Sequence, residues 1–313
     1  MSNNIFVIAE HIQGKVEDIT YEMLGKAKGL AESSGGEVVA ILLGSGVKDL
    51  AGDFAANKVL YVDDAQLAEF NPEAYCKTIE SLVSQHTPRV VLVGNTSQGM
   101  DIAAGLSIAC DMPLVAYASE VTLNSVTSQL YGGKMSVESN IDGDRFIASI
   151  LAGSFSADAG KGSGATLEDA AAPDLSDLKI KFTKLIEPEG GDVDITQHEV
   201  LVSVGRGIQN EDNIPIVQAL ADKLGGALSS SRPIVDSKWL PKTRQVGKSG
   251  LKVKPKVYIA VGISGAPEHI EGMKDADCII AINTDAKAPI FDYAHFGVTE
   301  DLFDVVPALV EKL

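Results

Sequence analysis

The chain has 313 residues, 43 acidic and 26 basic side chains and a formal charge of −17. An apolar fraction of 45% in a chain of this length excludes a largely disordered protein and leaves room for one large or two medium cores. A pI near 4.7 argues against a nucleic-acid-binding surface spread over the molecule, because phosphates would be repelled.

In chain order, short apolar runs alternate with amphipathic stretches. Ile5–Ala9 reads as a strand and 19–33 as a helix ending at Gly35-Gly36. Strands follow at Val38–Leu43, Val59–Val62, Val90–Val93 and Leu114–Tyr117, with helices after Pro72 and near Asp101–Cys110. Continuous apolar strands separated by helices indicate a parallel sheet covered on both faces. Between about 121 and 187 the pattern changes. Arg145–Leu151 and Leu178–Ile186 read as strands without intervening helices, so antiparallel additions to the same sheet are expected there. Ser156–Pro173 is rich in Gly, Ala, Ser and Asp and reads as a flexible surface loop.

The breaker Pro188-Glu189-Gly190-Gly191 marks the expected domain boundary: a first domain over 1–190 and a second over 191–313. The second alternates again. Val200–Val204 leads into Gly205-Arg206-Gly207 and a helix over 213–224. Val257–Val261 leads into a glycine turn and a helix to about Lys274; Cys278–Ile282 follows, and 299–312 closes as a helix. The fold class expected is α/β: a parallel-sheet domain plus a smaller doubly wound one.

Charge divides unequally. Residues 1–193 hold 27 acids and 13 bases; residues 194–313 hold 16 acids and 13 bases. Within 232–256 eight cations (Arg232, Lys238, Lys242, Arg244, Lys248, Lys252, Lys254 and Lys256) stand against Asp236 alone. Such a block is either a solvated face or a place to hold a phosphate-bearing ligand. Cys76, Cys110 and Cys278 form no CxxC pair, which argues against zinc and iron–sulfur sites. The N-terminus has no basic segment before an apolar one, and no run approaches 18 apolar residues, so a cytoplasmic, reduced setting is expected.

Two strand-to-helix junctions carry glycine where a phosphate would approach. Gly205-Arg206-Gly207 lacks the third glycine of a dinucleotide fingerprint, because position 210 is Asn210. In Gly262-Ile263-Ser264-Gly265-Ala266-Pro267, the proline suits the first turn of a helix, and His269 follows in that turn. Gly247-Lys248-Ser249 imitates the end of a Walker A loop, but the earlier glycine is replaced by Lys242, which argues against an NTPase. A hydrolase built on Ser264 and a non-redox nucleotide-binding module are the competing classes.

The second half carries VSVGRGI (202–208), SSRPIVD (230–236), QVGKSG (245–250), YIAVGISGAPEHIEGM (258–273), AIN (281–283) and APIFDYAHFGVTEDLF (288–303) in order. This series closely resembles the FAD-binding domain of the electron transfer flavoprotein alpha subunit. GNTSQGMDIAAGL (94–106) and YGGK (131–134) resemble that family's first, nucleotide-hydrolase-like domain. The resemblance implies an electron carrier rather than an enzyme. It implies a heterodimer with a beta subunit carrying AMP, or a second FAD in the bifurcating form of the family. Electrons would arrive from acyl-CoA dehydrogenases or similar flavoenzymes and leave to a membrane quinone reductase. It also implies a second domain that swivels with its FAD, with Gly190-Gly191 as the hinge.

Carried onto this sequence, Arg206 and Ser231 match positions on the FAD pyrophosphate side and Arg232 the arginine over the isoalloxazine. Gln245, Val246, Gly247, Lys248 and Ser249 match the loop that wraps the ring, with the Ser249 hydroxyl near N5. Ser264, Gly265, Ala266, Pro267, Glu268 and His269 match the turn ending in a histidine near flavin O2; Asn283, Asp301 and Leu302 match the adenosine end. Arg232, Ser249 and His269 are then the redox-tuning residues, since a guanidinium keeps its charge and an imidazole can donate to O2. The chain departs from many relatives at Lys248-Ser249 (glutamine and threonine), at Met100 and Ala104 (arginine and proline), and at Leu151-Ala152-Gly153 (Arg-Pro-Gly).

Overall fold

The computed structural model describes residues 2–131, 135–185 and 193–313. The chain divides into two compact units, Met1–Lys184 and Leu185–Leu313. The expected boundary at 190/191, the Gly190-Gly191 hinge and most of the YGGK segment lie outside the described residues.

The first unit runs β1 (Ile5–Ile8), β2 (His11–Ile12), β3 (Lys15–Val16), α1 (Asp18–Ser34), β4 (Val38–Gly44), β5 (Lys58–Asp63), α2 (Pro72–His86) and β6 (Val90–Gly94). It continues with α3 (Ser97–Ala109), β7 (Leu114–Val121), β8 (Ser125–Leu130), β9 (Met135–Asn140), β10 (Phe146–Ile150) and β11 (Thr166–Asp169). One sheet has the order β11-β5-β4-β1-β6-β10-β7-β8-β9. Its central strands are apolar along their whole length because both faces are covered. Ile5 and Val7, Val38 and Ala40, and Val90 and Leu92 face a core shared with Met23, Leu24 and Ala27 of α1. The intervening Phe6 and Ile8, Val39 and Ile41, and Val91 and Val93 face a second core under α2 and α3.

Three expectations for the middle of the chain are corrected. The strand read at Arg145–Leu151 exists as β10, but it lies between β6 and β7 and pairs parallel with both. All five of its residues are buried, as a central strand requires. The antiparallel additions are β8 and β9 instead, joined to the sheet through β7. They carry polar residues facing solvent and so lack a continuous apolar run. No strand forms over 178–185, where Ile180, Phe182 and Leu185 are each more than 40% exposed. The Ser156–Pro173 stretch is not a plain loop: it contains a short 3-10 turn and β11, which pairs parallel with β5 and forms the edge of the sheet there.

The second unit runs β12 (Val200–Val204), α4 (Ile214–Lys223), β13 (Ala227–Ser230), α5 (Arg232–Asp236), β14 (Val257–Val261), α6 (Pro267–Met273), β15 (Cys278–Ile282), β16 (Phe296–Val298) and α7 (Leu302–Lys312). All pairings are parallel, in the order β13-β12-β14-β15-β16. The first strand sits inside the second, so the direction of winding reverses between β12 and β14. Helices α4 and α7 cover one face through Val217, Leu220, Leu302 and Val306. Helix α6 covers the other through Ile270 and Met273. In an open doubly wound sheet, the crevice for a ligand opens beyond the carboxyl ends of the strands at this reversal.

Candidate functional site

A cavity of about 660 Å³ lies there, within the size range of cofactor sites. Every strand of the second sheet supplies part of its wall from the segment after its carboxyl end. Arg206, Gly207 and Gln209 follow β12; Ser231, Arg232, Pro233 and Asp236 follow β13. Gly262, Ile263, Ser264, Ala266, Glu268 and His269 follow β14; Ile282, Asn283 and Thr284 end or follow β15; Asp301 and Leu302 follow β16. The Gln245–Ser249 loop closes the wall.

The glycines of the two turns serve each other. A Cβ on Gly205 would stand 2.4 Å from the Gly262 carbonyl oxygen, and one on Gly207 would stand 2.7 Å from the Gly262 Cα. The Gly207 N–H donates to that same carbonyl at 3.0 Å. Gly262 itself has φ +64°, a left-handed conformation that any side chain would strain. The two turns thus cross backbone on backbone, which leaves a floor of main chain under the cavity.

The loop at 245–250 is pinned from both sides. Val246 N–H donates to Ser230 O at 2.9 Å and Lys248 N–H to Glu268 O at 2.7 Å. Gly247 at φ +134° lies against Glu268 and Gly272 of α6, where a Cβ would meet Glu268 O at 2.7 Å. This is the physical reason for a glycine in the Walker-like triplet: close packing on a helix. The Gln245 amide donates to the Ser249 hydroxyl oxygen at 2.9 Å.

His269 is buried in the first turn of α6, with Pro267 as the first helical residue. Its Nε2 lies 2.9 Å from the hydroxyl of Tyr258, which is fully buried. Its Nδ1 is buried and has no hydrogen-bond partner. Burial pulls the imidazole pKa down to about 4, with the Val246 carbonyl pulling weakly the other way. Burial pushes the Tyr258 phenol above its ordinary value, so both groups are neutral near pH 7.

Of the residues singled out from sequence, Gly265 and Pro267 do not line the cavity. Gly265 (φ +89°) packs under Ile290, whose N–H it would meet with a Cβ at 2.3 Å; Pro267 starts α6. Asn283 reaches back to the Ile263 carbonyl at 2.9 Å, and Asp301 caps α7 by accepting from Phe303 N–H at 3.0 Å. Arg232 is exposed and its Nε donates to Asp236 at 3.2 Å, one helical turn on. From the basic segment 232–256 only Arg232 and Lys248 among the cations line the cavity. Lys252 and Lys256 pair with Asp275 and Glu199, acids far off in sequence.

Sequence reasoning missed Gln209, Pro233, Asp236, Ile263, Ile282 and Thr284 as lining residues. Gln209 is the most telling. Its φ of 72° and ψ of −48°, with Asn210 N–H donating to Ile208 O at 2.9 Å, form a strained classic-type γ-turn on a non-glycine residue. No composition signal marks it.

The first unit reverses its winding between β1 and β6, and there the chain fills the position with its own side chain. Glu10, just past β1, is 3% exposed. Thr96, the N-cap of α3, donates to Glu10 Oε2 at 2.7 Å and accepts from Gly99 N–H at 2.9 Å. Glu10 Oε1 has no hydrogen-bond partner, and a Cβ on Gly94 would stand 2.3 Å from it. Burial raises the carboxyl to about 7, against a smaller lowering by Thr96.

Among the described residues no group of His, Cys, Asp and Glu could hold a metal ion. No helix there is long and apolar enough to cross a membrane. The buried unpartnered His269 Nδ1, the main-chain floor and the cations Arg206, Arg232 and Lys248 suit a large, polar, anionic organic group.

Comparison with known proteins agrees with this geometry. Residues 194–274 match the family described as electron transfer flavoprotein FAD-binding domain, and residues 5–175 match the electron transfer flavoprotein domain. The chain is 36% identical to an electron transfer flavoprotein subunit alpha of Megasphaera elsdenii, over 99% of this chain and 96% of that one. It is 35% identical to the corresponding subunit of Syntrophomonas wolfei over 98% of each. It is 32% identical to a protein of Anaerotignum propionicum named acryloyl-CoA reductase electron transfer subunit beta, over 99% of this chain and 95% of that one. With an FAD-binding domain built around the second sheet and full-length similarity to electron carriers, the chain belongs to the electron transfer flavoprotein alpha-subunit family.

Proposed function

We propose that this chain is the FAD-holding half of a heterodimeric, cytoplasmic electron carrier, paired with an electron transfer flavoprotein beta subunit. It accepts electrons from acyl-CoA dehydrogenase-type flavoenzymes, in the manner of fatty acid β-oxidation, and passes them to a membrane quinone reductase. The observation that carries this reading is the buried His269 nitrogen, without a partner, on the wall of a cavity floored by two crossing glycine turns. The name of the Anaerotignum relative supports an acyl-CoA-linked flavoenzyme as electron partner.

FAD, when bound, supplies an isoalloxazine that takes up and returns electrons. The chain's residues hold and tune it. Arg206 and Ser231 serve the pyrophosphate, and Asn283, Asp301 and Leu302 the adenosine. Arg232, Lys248, Ser249 and His269 serve the ring, where a fixed cation and a neutral donor favour negative charge developing on the flavin. Lys248 adds a cation where many relatives carry glutamine. Co-purification with the partner subunit tests the reading: flavin and AMP are counted per heterodimer. One FAD with AMP is expected for a simple carrier, while two FAD place the protein with the bifurcating form. A colourless heterodimer that takes up no FAD would refute the proposal.

A further inference from the structure

The eight cations between 232 and 256 face a single acid in sequence, Asp236, and the fold puts that acid on the cavity wall beside Arg232. Helix α5 is little more than one turn and opens directly after β13, with Arg232 as its first residue and Asp236 as its last. Ile234 anchors the turn in the core it shares with α4 and α7. Residues four apart on such a turn are neighbours. The Arg232 Nε donates to Asp236 Oδ2 at 3.2 Å, and both side chains are more than 60% exposed. The bond uses Nε alone, so among the described residues the terminal Nη groups of the fork are left for another acceptor.

An exposed ion pair at this spacing adds little to stability, so its importance lies in where its charges sit. The charged residues on the wall are Arg206, Arg232 and Lys248 against Asp236, Glu268 and Asp301. The wall is therefore no plain cation field, and an anionic ligand meets a field set by the position of each acid. Asp301 is engaged at the N-terminus of α7, where it accepts from Phe303 N–H. Asp236 sits on Arg232, whose guanidinium cannot lose its charge to a base. A carboxylate held beside a guanidinium cancels much of its field at any distance larger than their separation. A ligand that fills the cavity displaces water from the pair, and each charge then acts through a lower dielectric. Removing the carboxylate would uncover the full cation.

We propose that Asp236 is a counter-charge that limits how strongly Arg232 favours negative charge on the cofactor. The inference rests on the FAD reading above. With the carboxylate in place, the pair offers the flavin the donors of a guanidinium but only part of its positive field. Reduction is then harder than Arg232 alone would make it. The same carboxylate opposes the negative charge of the pyrophosphate, so it weakens FAD binding as well.

Asp236→Asn removes the charge while keeping the size and an acceptor for Nε. In the FAD-loaded heterodimer it should favour the first one-electron reduction by about threefold, or roughly 30 mV at 59 mV per decade, read by spectroelectrochemical titration. The dissociation constant for FAD should fall by about threefold in the same variant. Asp236→Ser, which also loses the charge, should shift the midpoint the same way. The unfolding midpoint of the heterodimer before FAD is added should stay where it is, because the pair is exposed. A reduction midpoint that is unmoved or lowered overturns the proposal, as does weakened FAD binding, since the acid would then hold Arg232 in place rather than offset it. A fall in the unfolding midpoint with an unmoved potential overturns it too and assigns Asp236 to stability. A heterodimer that takes up no FAD overturns the FAD reading together with this proposal, whereas FAD uptake with an unmoved midpoint overturns this proposal alone.

Discussion

Replacing Glu10 by glutamine should stabilise the first unit, and only above a definite pH. Glu10 is buried against Gly94 and Gly99 with one carboxyl oxygen unpartnered, and its pKa is raised from 4.5 to about 7. The folded state therefore holds a proton that the unfolded chain has released over this interval, so stability falls as pH rises from 4.5 to about 7 and levels off above it. At 1.36 kcal/mol per pKa unit the loss amounts to about 3 kcal/mol. Glutamine mimics the protonated acid in shape, keeps an acceptor for Thr96 and cannot ionise. The variant and the wild type should unfold alike below pH 4.5. At pH 8 the variant should melt higher by about 6–12 °C for a unit of this size. Calorimetric scans of the full-length protein at a series of pH values read this directly. Equal stabilisation by Glu10→Gln at pH 4 and pH 8 would refute the reasoning, because a packing effect has no reason to follow the titration of a carboxyl group.

The second unit should respond to pH in the opposite sense. His269 is held neutral with a pKa near 4, while the unfolded chain takes up a proton below its ordinary value of 6.5. Stability is thus lost as pH falls from 6.5 toward 4, by about 3 kcal/mol, and urea unfolding followed by the single tryptophan, Trp239, should lose this slope in His269→Gln. Gly205→Ala drives a Cβ to 2.4 Å from the Gly262 carbonyl and should destabilise the second unit by about 1–3 kcal/mol in the same assay; an unchanged midpoint would count against the crossed-turn floor. Gln209→Gly relieves a strained φ and should raise stability by about 1 kcal/mol after the flexibility of glycine is allowed for, while weakening ligand binding if the Gln209 side chain contributes to it. Glu22 accepts from Gly153 N–H at 2.9 and 2.8 Å and from Phe155 N–H at 3.3 Å, so Glu22→Ala should cost about 2–3 kcal/mol and speed amide exchange at Gly153.

Much of the architecture was legible because burial on both faces writes itself into composition. Val200–Val204, Val257–Val261 and Cys278–Ile282 begin and end where the apolar runs do. The elements that escaped lack that signature. In β13, Ala227-Leu228-Ser229-Ser230, two of four residues are serines although all four are buried. The edge strand β16 exposes Phe296, β8 buries only Val126 and Ser128, and β9 buries none of its residues. Strand β10 was legible as a strand but not as parallel, since its apolar run is the same whichever way its neighbours point.

The candidate site divides in the same way. The glycine turns, Pro267 and His269 stand out in the sequence because special backbone geometry and a lone titratable group at a strand-to-helix junction are local features. The resemblance to a known family extends them along the chain. By itself the sequence thus determined two α/β units, the separation of acidic and near-neutral halves, and the family. Only the tertiary structure decided which groups meet. It joins Tyr258 to His269 across eleven residues, seats Glu10 under the N-terminus of α3, pairs Lys252 and Lys256 with distant acids and leaves Arg232 on Asp236. Periodicity records whether a side chain is buried; the partner it finds there depends on strand order and register, which are set by long-range packing.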